Sequence, residues 1–261
     1  MEPGKNQIAD LSGYLYKMQK SMIDKMFFID KIFEPIDTIV DFGCANGELI
    51  KMLQYYFDEY SYVGYDISEK MVLAAKENVP GAVFCSDWDS ISIPFDRSLL
   101  NISSVIHEVY SYCAPDEIAL FWSRVFESGF RYITIRDMML SQSCLNTPAG
   151  ESDLGMIRSN RQYLRHFEDF ESIWGRIKTE KQMVHYLLKY SYTQNWDREV
   201  REDYLGLTLE ELIAMIPKNH RVTYQEHYTL PYVAWQIKKD FGIELKTPTH
   251  IKLIIEQIAE N

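Results

Sequence analysis

The chain has 261 residues, 46% hydrophobic and 25% charged, enough for one sizeable core with an elaboration. Its net charge of −11 supplies no basic field to gather a polyanion, which disfavours nucleic acid as a partner. Cys44, Cys85, Cys113 and Cys144 form no C-x-x-C pair, the amino-terminal residues hold no apolar signal core, and no run approaches about 18 apolar residues, so buried free thiols in a cytoplasmic protein with neither metal site nor membrane span are expected.

Residues 6–33 read as a helix, with Leu11, Leu15, Met18, Met22 and Ile29 able to share a face and Lys17, Lys20, Lys25 and Lys31 on the remainder. The next stretch organises the chain. Thr38, Ile39, Val40 and Phe42 form a short buried-strand run, with Asp41 at its end. Gly43, Cys44, Ala45, Asn46 and Gly47 make a glycine-bounded turn that lets a ligand approach the backbone. Leu49, Met52, Leu53, Tyr56 and Phe57 then fall on one face of a helix. The spacing is D-x-G-x-x-x-G and lacks the third glycine of the dinucleotide fingerprint. Glu48 at the helix start would repel a pyrophosphate, so a ligand without phosphates and with a positive centre fits better.

This segment resembles the first motif of the class I S-adenosylmethionine-dependent methyltransferases, and the later segments follow in the order that family requires. The resemblance implies an α/β, Rossmann-like, seven-stranded, mostly parallel sheet with helices on both faces, and Asp41, Gly43, Cys44, Ala45 and Gly47 beside the cofactor. It also implies that the helix before the first strand can close over the cofactor, with Tyr14 and Tyr16 the residues of interest. Tyr62–Ile67 is a second strand, ending in Asp66 and followed by a helix over 69–79 capped by Ser68. Asp66, 19 residues beyond Gly47, is placed to accept from both ribose hydroxyls. Ala82–Cys85 is a third strand; in the family an acid after it accepts from the adenine amino group, a role that falls on Asp87, with Trp88 or Ile67 covering the ring.

Leu99–Val105 is the fourth strand. The resemblance places the methionine part of the cofactor against its end, at the small polar pair Ser103 and Ser104. The following Val-Ile-His-Glu-Val is similar to a leucine-histidine pair of many small-molecule methyltransferases, and departs from it at Glu108. His107, expected to be neutral near pH 7, is the leading candidate base, with Glu108, Tyr110 and Asp137 next. The alternative for His107 is a structural histidine bonded to backbone. Pro115 starts a helix with Ile118, Phe121, Trp122, Val125 and Phe126 as its buried stripe, and Tyr132–Ile135 is the fifth strand.

Residues 139–218 follow no strand pattern. Helical spacing of Tyr163, Phe167, Phe170 and Trp174, and capping boxes at Thr179/Gln182 and Thr208/Glu211, mark a helical insert over the strand ends. Its aromatics Tyr163, Tyr186, Tyr190, Tyr192 and Trp196 either enclose an acceptor or form the insert's own core. Strands over 222–230 and 250–255 flank a helix over 232–241 and match the hairpin that closes the family's sheet. The expected organisation is a cofactor-binding core from 1–138 and 219–261, with 1–34 as an extension, and the insert between. The expected activity is methyl transfer from S-adenosylmethionine to a small molecule, leaving S-adenosylhomocysteine. RNA or protein acceptors, and a non-catalytic subunit that only binds the cofactor, are the alternatives; the oligomeric state is left open.

Overall fold

The computed structural model describes residues 21–258, so Tyr14, Tyr16 and most of the helix expected over 6–33 lie outside the described residues. Within them, that stretch is one short helix, α1 (Met22–Lys25), followed by turns to Lys31. Lys25, expected on the solvent side, is buried.

A regular alternation of strands and helices follows. It runs β1 (Thr38–Phe42), α2 (Glu48–Tyr56), β2 (Ser61–Tyr65), α3 (Glu69–Asn78), β3 (Val83–Cys85) and β4 (Ser98–Ser103). It continues with α4 (Ile106–Tyr112), α5 (Pro115–Glu127) and β5 (Tyr132–Met138). Two late strands, β6 (His220–Tyr228) and β7 (His250–Gln257), complete a seven-stranded sheet of order β3-β2-β1-β4-β5-β7-β6. β1 to β5 pair in parallel, and β7 enters antiparallel between β5 and β6. This is the Rossmann-like arrangement expected. The chain leaves β1 toward one edge and β4 toward the other, so their carboxyl ends part and open a crevice where such sheets bind ligands.

Each face of the sheet buries its own cluster. On one, Ile39, Leu99, Tyr132 and Ile254 pack with Phe28, Leu49, Ile50 and Leu53. On the other, Val40, Leu100, Ile133 and Leu253 pack with Phe121, Trp122, Val125 and Phe126 of α5. The α2 stripe stops short of its expected end, because Tyr56 is exposed. Side chains alternate across a strand, so Asp41 of β1, Asn101 of β4 and Thr134 of β5 share the face of Ile39, Leu99 and Tyr132.

Between β5 and β6 the chain folds into α6 (Glu151–Ser159), α7 (Leu164–Trp174), α8 (Glu180–Lys189), α9 (Trp196–Glu199) and α10 (Leu209–Met215). Both expected capping boxes form: Thr179 accepts from the Gln182 N–H and Thr208 from the Glu211 N–H. Tyr163, Tyr186, Tyr190 and Trp196 are buried in one cluster with Phe167 and Phe170, so these aromatics make a core and do not line an acceptor pocket. That cluster includes Ile237 and Phe241 of α11 (Pro231–Phe241), the helix joining β6 to β7. A boundary drawn at residue 219 therefore cuts through shared packing.

Candidate active site

The glycine turn after β1 is held by its neighbours. Gly43 and Gly47 have φ of +74° and +80°, and Ala45 has +47°, conformations that disfavour a side chain. A Cβ on Gly43 would stand 2.5 Å from Val105 Cγ2, and one on Gly47 2.9 Å from Val79 Cγ2. The expectation tied these glycines to ligand approach; the structure shows that backbone conformation and close packing already require them. Cys44 packs beneath the turn in the α2 cluster, where burial raises its thiol pKa.

Asp66 fastens the turn to β2. Its Oδ2 accepts from the Ala45 N–H and its Oδ1 from the Ser68 N–H, both at 2.9 Å. Burial raises its pKa while those two bonds oppose the rise. Carboxylate oxygens have lone pairs beyond these two, so the group can still accept from a ligand. Next to it, Ile67 is exposed and forms a free apolar surface. Asp87 is exposed and accepts from the Asp89 N–H at 3.1 Å. Trp88 differs from expectation: it is buried against Phe42, Tyr65 and Phe130 on the α5 side, which leaves Ile67 as the apolar neighbour of the acids.

Beside the turn, α1 closes a narrow cleft lined by Met22, Lys25, Asp41, Asn46, Glu48 and Ser103, together with the turn itself. Across the sheet beneath it runs a buried polar rung. Asn101 Nδ2 donates to Asp41 Oδ1 at 2.7 Å, and Thr134 Oγ1 donates to Asn101 Oδ1 at 3.1 Å. Burial lifts Asp41 to a pKa of about 6, against the lowering effects of Asn101 and Lys25. Burial and the nearby Arg136 depress Lys25 to about 8, opposed by Asp41, Asp137 and Glu108. The cleft thus holds one buried acid and one buried amine. Two buried atoms lining it, Asn46 Oδ1 and Ser103 Oγ, have no hydrogen-bond partner among the described residues. They leave a polar ligand something to bind.

The residue after Ser103 turns the chain sharply, with Ser104 at φ +61°. Its N–H donates to the Arg136 carbonyl at 2.8 Å, and its hydroxyl accepts from Arg136 Nη1 at 3.0 Å. This places α4 over the end of β5. Asp137 Oδ2 accepts from the N–H groups of Val105 and Ile106, and its Oδ1 meets His107 Nδ1 at 2.8 Å. Burial opposes the charge on His107, but Asp137, Glu108 and Glu202 outweigh it and raise its pKa to about 9. His107 is therefore an imidazolium at pH 7, not the neutral base expected, and its partner is a carboxylate. Tyr110 is engaged elsewhere, its hydroxyl accepting from Trp122 Nε1 at 3.2 Å.

Residues between β5 and β6 roof this pair. The ring of Tyr204 stands 5.4 Å from that of His107. Arg198 forms ion pairs with Glu108 at 3.0 Å, Glu199 at 3.4 Å and Glu202 at 2.6 Å, and Tyr112 donates to Glu202 at 2.7 Å. Tyr204 donates to Glu199. Lys25, Asn101, Thr134 and Arg198 were not singled out in the sequence. Asn101 carried a signal, an amide inside the apolar run Leu99–Ile102. The others have none, because contacts made only in the fold decide their roles, as Asn101 does for Thr134, 33 residues away, and Glu108 for Arg198, 90 residues away.

Residues 39–128 match a family model described as a methyltransferase domain. No curated protein matches the chain. Similar solved structures include the plantazolicin methyltransferase BpumL in complex with a triazolic desmethylPZN analog and SAH, at 12% identity over 95% of this chain and 87% of that one, TM-score 0.47. Another is the methyltransferase domain of bacterial CtHen1, at 11% identity over 93% and 99%, TM-score 0.48. A third is a SAM-dependent methyltransferase from Anabaena variabilis, at 11% identity over 98% and 100%, TM-score 0.48.

Proposed function

We propose that the chain is a class I S-adenosylmethionine-dependent methyltransferase, supported by the match of residues 39–128 to a methyltransferase domain, and that it methylates a small molecule enclosed between the ends of β4 and β5 and the helices of residues 139–218. The observation that carries this reading is the roof over His107: Tyr204 meets its ring edge-on while Arg198 pins the roof to Glu108, beside it on α4. A buried ion-paired closure suits an acceptor that is engulfed whole, since a long polymer would have to thread through it.

Bound S-adenosylmethionine supplies a methyl group already activated on a sulfonium, so the protein's work is to bind, align and exclude water. Asp66 is assigned to the ribose hydroxyls, Asp87 to the adenine amino group and Ile67 to the face of the ring. Asp41, ionised above its pKa of about 6, offers the buried negative charge that a cationic cofactor needs. Ser103, Gly43 and Cys44 line the cleft, and with Ser104, Ala45 and Gly47 they are assigned to the cofactor's methionine end. His107 and Glu108 face the acceptor side. As an imidazolium, His107 donates to an acceptor oxygen; it removes a proton only after losing its own, so the rate with a protonated nucleophile rises with pH. The four free cysteines suit a reducing, cytoplasmic setting. No helix among the described residues is long and apolar enough to cross a membrane.

The test starts with calorimetric titration of wild type and Asp66→Ala with S-adenosylmethionine and with S-adenosylhomocysteine. Both ligands should bind, and the substitution should weaken them at least about tenfold, or about 1.4 kcal/mol. Methyl-labelled cofactor is then incubated with the enzyme and a cell extract fractionated by size. Label in the small-molecule fraction supports the reading; label confined to RNA or protein overturns it.

A further inference from the structure

Three buried side-chain atoms have no hydrogen-bond partner among the described residues: Asn46 Oδ1, Ser103 Oγ and Arg136 Nη2. Two of them belong to residues paired directly across the sheet, because Ser103 of β4 is the register partner of Arg136 of β5. In parallel strands such partners point to the same face about 4.8 Å apart. Their side chains therefore rise from the same face of the sheet, each two residues beyond the rung of Asp41, Asn101 and Thr134.

The guanidinium of Arg136 is buried and otherwise well held. Nε donates to Asp24 at 2.9 Å and Nη1 to Ser104 Oγ at 3.0 Å. Asp24 is shared with Lys252 at 2.7 Å and with the Tyr228 hydroxyl at 2.6 Å, so α1 clamps the group from above. The Tyr228 hydroxyl also bears on the guanidinium, and Nη2, buried without a hydrogen-bond partner among the described residues, is costly without a ligand. Both open groups can donate, and Arg136 can only donate. A planar oxyanion matches them.

We propose that Arg136 and Ser103 form a carboxylate subsite of the methyl-transfer site. This rests on the reading of the chain as a small-molecule methyltransferase and narrows the substrate to a carboxylic acid. Two molecules of the reaction could bring the carboxylate: the cofactor, through its methionine end, and the acceptor. The placement favours the acceptor. The turn after β1 seats the cofactor, and Lys25 already lines the cleft beside it with Asp41 and Ser103. Arg136 lies two strands from β1, about 10 Å along the sheet, and adjoins Asp137, the partner of His107.

The experiment measures ligand binding to full-length protein saturated with S-adenosylhomocysteine, using acetate, benzoate and hexanoate beside their amides. At least one carboxylate should bind where its amide does not. Arg136→Gln should weaken it at least about fivefold while leaving S-adenosylhomocysteine within about twofold; Ser103→Ala should weaken it at least about fivefold too, and because Ser103 also bounds the cofactor cleft its effect is read against the S-adenosylhomocysteine affinity of the same variant. Asp24 retains Lys252 and Tyr228 in the first variant, and the second removes one oxygen only, so folding is preserved in at least one of them. In the same proteins, S-adenosylhomocysteine is compared with methylthioadenosine, which lacks the amino-acid end. If the variants weaken the former and spare the latter, the subsite serves the cofactor and the acceptor assignment falls. If no carboxylate binds the loaded wild type, or neither variant alters either ligand, the subsite itself is overturned. Failure of well-folded wild type to bind S-adenosylhomocysteine at all would instead sink the methyltransferase reading.

Discussion

Asn101 of β4 donates to Asp41 of β1 across 2.7 Å with both side chains buried, and this bond joins the two strands whose ends part to form the crevice. It favours the ionised form of the acid under the cleft, against the larger effect of burial. Asp41 is raised from 3.8 to about 6, chiefly by burial. An acid raised on folding contributes stability that is full below its unfolded pKa and is lost as pH rises through the folded one. Stability should therefore fall between about pH 4 and 6, by on the order of 3 kcal/mol at 1.36 kcal/mol per pKa unit. Urea unfolding across that range, beside Asp41→Asn, isolates the contribution; an unchanged slope in the variant would remove Asp41 as its source. Because the acid must ionise to meet a sulfonium, the preference for S-adenosylmethionine over its uncharged product should grow from pH 5 to 7.

His107 responds in the same sense but at higher pH. Its pKa is raised from 6.5 to about 9 against the effect of burial, by Asp137 first and then by Glu108 and Glu202. Its stabilisation is full below about pH 6.5 and disappears as pH climbs through 9, again on the order of 3 kcal/mol. Asp137→Asn should leave the ring neutral at pH 7 and remove that dependence. Titration of the His107 ring resonance by NMR checks it; a midpoint still near 9 in the variant would show that another group holds the proton.

Gly43 offers a test of why the turn is glycine. Gly43→Ala puts a Cβ at 2.5 Å from Val105 Cγ2 in a backbone of φ +74°. Left-handed backbone costs an alanine about 1 kcal/mol, and the clash adds to it. Pairing the change with Val105→Ala should recover the steric part and leave the backbone part. Recovery of nothing, measured by thermal unfolding, would mean that the turn moves away from Val105 instead.

The fold was legible because its signals are local. β-branched runs, a glycine-bounded turn, Ser68, Thr179 and Thr208 as caps, and Pro115 at a helix start each act within a few residues. The site is less so. Asp41, Asn101 and Thr134 meet from three strands, and an amide inside Leu99–Ile102 is visible in sequence while its partners are not. Trp88 and Ile67 follow equally plausible positions, and only packing against Phe42, Tyr65 and Phe130 decides that Trp88 is core. The charge of His107 depends on Asp137, 30 residues away in sequence. Tyr186 and Tyr190 stood out in sequence only as aromatics that either enclose an acceptor or form a core; contacts that include Phe241 of α11 decide for the core.

Arg198 ties the roof to the sheet, and its loss should be felt in both. It is buried among Glu108, Glu199 and Glu202, with Glu202 further bound by Tyr112. Burial and the neighbouring Glu199 raise the Glu202 pKa while Arg198 lowers it, so removing the arginine leaves three acids to share one dry space. Arg198→Met should destabilise the protein by about 3 kcal/mol, within the range for breaking a buried ion pair. Glu202→Gln should cost less, because the arginine keeps Glu108 and Glu199. Limited proteolysis of Arg198→Met should cut within residues 139–218 at protease levels that spare wild type, while S-adenosylhomocysteine, seated on the β1 side, should still bind. Cleavage spread evenly over the chain would show that the roof and the sheet unfold together and that Arg198 is simply a core residue.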